Sequence, residues 1–206
     1  MGSRLRGILI WGALVIAVIA PVAIAATSDY LAYRSGIYIA AGFAGIVAMT
    51  LILIQPLLAA GYLPGLTILQ GRRLHRWVGA SLVAAILVHV GGLWLTSPPD
   101  VIDALTFTSP TPFSDFGVLA MWGLFAAAML AALRRTLGIR PAVFRFVHTA
   151  LAVFVVVTGS AHALLIEGTM GPISKIALCA LALVATVTAI ADLRSWALLK
   201  RRRRRT

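Results

Sequence analysis

Six stretches of this chain are long and apolar enough to cross a bilayer as helices, at about 8–26, 36–61, 75–96, 116–133, 146–166 and 172–193. A hydrocarbon core of about 30 Å takes roughly 20 helical residues. Between the stretches lie ordinary loop signals, among them Thr27-Ser28-Asp29, Pro64-Gly65, Ser97-Pro98-Pro99-Asp100 and Gly138-Ile139-Arg140-Pro141. Only 12% of the 206 residues are charged, against about a quarter in a soluble chain, and 61% are apolar. The expected fold is therefore all-α, a six-helix transmembrane bundle that takes up residues 1–206 as one domain, with membrane lipid as its main solvent.

The net charge of +12 raises the question of nucleic acid, but the cations are not spread over one solvated face. Sixteen of the 18 cluster beside span ends that fall on one side: Arg4 and Arg6; Arg72, Arg73 and Arg76; Arg134, Arg135, Arg140 and Arg145; and Arg194, Lys200 and residues 201–205. Only Arg34 and Lys175 fall on the other side, which carries Asp29, Asp100, Asp103, Asp115 and Glu167. By the positive-inside rule both termini are cytoplasmic, the layout expected of a bacterial inner-membrane protein, and no nucleic-acid partner is expected. The longest acidic-side loop, about 97–115, is proline-rich, and residues 101–105 are expected to form a short interfacial helix. Ala23-Ile24-Ala25 resembles a signal-cleavage site, but the apolar run before it is longer than a usual signal core, so a retained first span is expected. Cys179 is the only cysteine, which excludes intramolecular disulfides, thiolate clusters and covalent C-x-x-C-H haem attachment.

The four histidines carry the chemistry. His75 and His89 lie on the third span, His148 and His162 on the fifth, and the interval within each pair is the same, fourteen positions. Fourteen helical steps turn through about 1400°, about 40° short of four full turns, and rise about 21 Å. Each pair thus lines one stripe of its helix. The two spans run the same way, so His75 pairs with His148 near the cytoplasmic face and His89 with His162 near the opposite one. A zinc ion needs about four ligands at one depth, and neither pair has a cysteine or carboxylate to complete a shell. A haem supplies four equatorial nitrogens and asks the protein for two axial ligands. Two non-covalent b-type haems are therefore expected between the third and fifth spans. Gly79, Gly92 and Gly159, close to the histidines, are expected to give a flat macrocycle room near the backbone. A lone membrane histidine often serves only as an interhelical hydrogen-bond partner, but that role gives no reason for the same interval twice on parallel helices. A proton path would call for carboxylates at mid-membrane depth, and the acids lie at the span ends.

The segments GRRLHRWVGASLVAAILVH and FRFVHTALAVFVVVTGSAHALLIEG make the stretch 71–168 resemble the ferric-reductase-like transmembrane domain. That family includes ferric reductases, the membrane part of NADPH oxidases and stand-alone haem subunits of periplasmic methionine sulfoxide reductase systems. The resemblance implies that His75, His89, His148 and His162 are the haem ligands. It also puts Arg72, Arg73, Arg76 and Arg145 where inner-haem propionates would need cations, beside their role as topology signals. Many members continue into a cytoplasmic FAD and NAD(P)H domain. Here no G-x-G-x-x-G loop is present and the sequence ends shortly after Leu193, so FAD, FMN or a quinone is expected to come from a partner.

The function expected is transmembrane electron transfer, from a cytoplasmic flavin reductase or a quinol to a periplasmic redox protein or ferric iron, as the haem-binding subunit of a reductase system. A terminal ferric or oxygen reductase is the alternative within this class. A non-redox transporter or scaffold is the rival from another class, and a haem spectrum separates the two.

Overall fold

The computed structural model describes residues 2–203; the side chains of the C-terminal cation cluster, Arg194, Lys200 and residues 201–205, lie outside the described residues. Seven α-helices and one short 3-10 turn, with no strand, make up the described chain: α1 (Ser3–Ala26), α2 (Gly36–Ala60), α3 (Ile68–Thr96), α4 (Pro98–Leu105), α5 (Pro112–Leu133), α6 (Pro141–Leu165) and α7 (Pro172–Arg203). All but α4 are long and apolar enough to span a membrane. The third and fifth spans of the sequence reading are α3 and α6.

Four spans, α1, α3, α5 and α6, start earlier than hydropathy indicates, and in the last three a capping box or a first-turn proline marks the start. α3 opens seven residues before His75 at a capping box, in which the Thr67 hydroxyl accepts from the Gln70 amide and the Gln70 side chain accepts from the Thr67 amide. Two orphan helix-start donors are satisfied this way. α5 and α6 open on Pro112 and Pro141 at a first-turn position, where proline's missing N–H costs nothing. His75 and His148 therefore sit about two turns inside their helices. The proline-rich loop does hold a short helix, α4, which covers the expected 101–105 and begins at Pro98.

Two antiparallel hairpins, α2–α3 and α5–α6, form the frame, and α7 packs against α2 and α6 while α1 lies outside on α2 and α7. The Trp11 indole donates to the Pro64 carbonyl, and the Tyr62 hydroxyl donates to the Asp192 carboxylate. These bonds gather the start of α1, the α2–α3 turn and the Asp192 turn of α7 at one end. The core runs through Met49, Ile52 and Leu53 of α2, Leu82 of α3, Leu124 of α5, Val155 and Val156 of α6, and Leu178, Cys179 and Ala182 of α7. Outward faces remain apolar: Ile8, Ile16, Trp122, Val184 and Val187 are each more than half exposed. A surface of that kind is at home in lipid, and the chain is a multi-pass membrane protein.

Candidate functional site: two stacked histidine pairs

α3 and α6 face each other without close backbone packing, and α3 is the least buried of the spans. Imidazoles bridge the gap at two levels. His75 and His148 have ring centroids 6.3 Å apart with planes at 74°. His89 and His162 have centroids 6.5 Å apart with planes at 76°. A metal–imidazole bond is about 2 Å and the ring centre lies roughly 1.1 Å behind the nitrogen, so two imidazoles sharing one metal in line have centroids about 6.2 Å apart. Both pairs have that separation. Leu82 and Val155, each buried and seven residues from both histidines of its own helix, lie midway between the levels.

The remaining ring nitrogens are bound by backbone from the hairpin partners. His89 Nδ1 donates to the Ala41 carbonyl at 2.8 Å, His162 Nδ1 to the Phe113 carbonyl at 2.7 Å, and His75 Nδ1 to the Gln55 carbonyl at 3.2 Å. A carbonyl only accepts, so these bonds fix the proton on Nδ1 and leave Nε2 with its lone pair free for a metal. Metal-binding histidines characteristically engage their second nitrogen in this manner. His148 Nδ1 is buried without a hydrogen bond; the Ala127 carbonyl faces it too loosely to count as one. The acceptors keep one register. The step up α3 from His75 to His89 is matched by an equal step back along α2 from Gln55 to Ala41, and α6 and α5 repeat the relation with Ala127 and Phe113.

The two levels are not alike. At the upper level, nearer the acidic loops, the histidines rest on tight carbonyl bonds, and Phe113 meets His162 edge-on at 5.9 Å. At the lower level Phe144 stacks on His148 at 5.2 Å, and the Arg134 guanidinium lies 4.7 Å from the centre of the Phe144 ring. Gln55 adds a second hold there: its side-chain amide donates to the His75 carbonyl, while its Oε1 is buried without a partner.

The glycines expected near the histidines have different neighbours. A Cβ on Gly79 would lie 3.1 Å from the Gln55 amide nitrogen, so this glycine makes room for the Gln55 hold on His75. A Cβ on Gly92 would lie 2.7 Å from Ala41 Cβ, so Gly92 lets α2 close on α3 beside His89. Around Gly159, at the meeting of α6 with Ile52, Met49 and Ala120, the contacts are ordinary. Of the arginines, Arg72 and Arg145 each lie three residues before a lower-level histidine, about 60° from it around the helix. Arg73 and Arg76 instead line a surface cleft of about 410 Å³ with Trp77 and Ala80, on the side of α3 turned away from His75. Arg134 carries no site signal in the sequence, since only the fold brings it onto Phe144.

Among the described residues no group of three or more His, Cys, Asp or Glu could hold a bare metal ion. Each level supplies two imidazoles only. That donor set fits a group bringing its own equatorial ligands, and haem is such a group.

Six spans and two facing histidine pairs define a multi-pass membrane protein with opposed imidazoles at two levels. The family described as ferric reductase like transmembrane component matches residues 41–159, more than half of the chain. The chain belongs to this family. The matched segment holds His75, His89 and His148 and stops three residues before His162. No curated protein and no solved structure matches the chain.

Proposed function

We propose that the chain carries single electrons across the membrane on two b-type haems, one held by His75 and His148 and the other by His89 and His162. The observation that carries this reading is the matched ring separation, 6.3 and 6.5 Å, with Nδ1 of three rings occupied by backbone carbonyls. The haems, when bound, supply one-electron chemistry at each level. The residues do the rest. The carbonyls of Ala41, Gln55 and Phe113 orient the imidazoles. Leu82, Val155 and the α2 core around Met49 and Ile52 keep water out of the layer between the levels. Arg72 and Arg145 offer cations to acidic groups at the lower level.

The donor is a cytoplasmic flavin reductase carrying FAD or FMN, or a quinol, and the acceptor is a periplasmic redox protein or ferric iron. Moving one electron outward is downhill by about 2.3 kcal/mol per 100 mV of inside-negative potential. The family's name favours a reductase system, with this chain as its haem-binding membrane subunit.

Purified protein made with ample haem should give about two b-type haems per chain by the pyridine haemochrome assay, and haem-free protein would refute the reading. A reporter fused after Thr206 should be active only if it is of the cytoplasmic kind. A periplasmic C-terminus would reverse the assignment of the two levels to the membrane faces.

A further inference from the structure

The carbonyls that hold the histidines are already part of helical hydrogen bonding, so the residue four positions later sets how closely a ring can approach one. At the upper level that residue is Gly45, four after Ala41, and Gly117, four after Phe113. A Cβ would lie 3.0 Å from His89 Nδ1 at Gly45, and 2.7 Å from His162 Nδ1 at Gly117. At the lower level the equivalent residues are Ala59, four after Gln55, and Ala131, four after Ala127. The bonds there are correspondingly poorer, 3.2 Å for His75 and none for His148. One molecule thus holds both versions of the same device, glycine with short bonds and alanine with long or missing ones.

We propose that Gly45 and Gly117 are positioning residues that place His89 and His162 in tight Nδ1–H···O=C bonds, and that the haem at this level consequently has a lower reduction potential than the haem at the His75/His148 level. The proposal rests on the haem reading above. A ligand imidazole that donates a strong hydrogen bond is more basic and favours ferric over ferrous iron. The Arg134 charge above Phe144, stacked on His148, acts in the same sense from the other side by favouring an added electron at the lower level. The two haems should therefore be unequal, with the low-potential one nearer the acidic loops.

The test is an anaerobic redox titration of the purified, haem-loaded full chain, followed optically and by the low-spin ferric EPR signals. His162→Ala, which lacks the upper haem, identifies its wave. The unaltered chain should titrate in two waves, with the lower one belonging to that haem. Gly117→Ala should raise the lower wave by about tenfold in equilibrium constant, about 59 mV for a one-electron couple, and leave the upper wave in place. Ala131→Gly should do the reverse, giving His148 its missing partner and lowering the upper wave. Gly123→Ala, on the same helix as Gly117, serves as the packing control: its Cβ would lie 2.8 Å from Phe154 Cδ1, as tight a clash but with no histidine, and it should move neither wave. Loss of only the upper haem from Gly117→Ala would support positioning, and Gly45→Ala with Ala131→Gly would then carry the potentials. Unmoved waves in Gly117→Ala and Ala131→Gly would overturn the inference, as would an equal shift from Gly123→Ala. A chain without haem would instead sink the reading beneath it.

Discussion

Replacing His162 with alanine should halve the haem content and leave the remaining haem spectroscopically unchanged. His89 would lose the only imidazole facing it, 6.5 Å away centre to centre, while His75 and His148 would keep their 6.3 Å pairing. The levels are separated by about 21 Å of helix rise, with Leu82 and Val155 buried between them, so the ligands of one level make no direct contact with those of the other. The vacated volume lies beside Phe113 and Gly117 at the end of α6, and α6 retains its packing on α7, where the Cys179 thiol faces the Ser160 carbonyl. The expected spectrum keeps one low-spin bis-histidine signal at about half the original pyridine haemochrome value. Loss of both haems from protein that remains folded, with unchanged helical content and elution volume, would show that the two pairs are not independent sites.

The histidine stripes were legible in the sequence because they depend on one helix at a time: the interval from His75 to His89, or from His148 to His162, survives any error in where the helix begins. Helix starts were less legible. Hydropathy alone places the start of the third span at His75, whereas the Thr67 and Gln70 capping box starts it at Ile68, a polar signal that an apolar window passes over. The partners of the histidines were not legible, because they are backbone carbonyls of neighbouring helices and any residue type supplies one. What the sequence does record is the clearance they need, Gly45 and Gly117, each standing four residues beyond a carbonyl acceptor. Gly79 stands one turn beyond His75 in the sequence, but it faces the Gln55 amide. The arginines divide in the same way. Arg72 and Arg145 can be placed by helical phase from the histidine they precede, Arg73 and Arg76 join a cleft on the far side of α3, and Arg134 reaches the lower level only through the α5–α6 packing that lays it over Phe144.

Replacing His148 with alanine should stop electron entry, whereas replacing His162 should stop only delivery. The arginine-rich side, with Arg72 and Arg145 three residues before their histidines, is where a cytoplasmic flavoprotein with an acidic surface would dock. The lower pair is the nearer to it. In His148→Ala, His75 stands without an opposed imidazole and the Phe144 stack has no ring to rest on, so the haem of that level should be lost or turn high-spin. The remaining haem then lies about 21 Å of helix rise further from the donor, and the chain should fail to reduce on the time scale of the unaltered protein. His162→Ala, given the same donor, should reduce its remaining haem at the ordinary rate yet pass nothing to an acceptor on the far side of a sealed vesicle. Stopped-flow reduction with a cytoplasmic-side donor measures entry, and reduction of an impermeant acceptor across the vesicle wall measures delivery. If His162→Ala were the variant that blocked first reduction, electrons would enter at the acidic face, as they would from a quinol oxidised there, and the direction proposed here would be reversed.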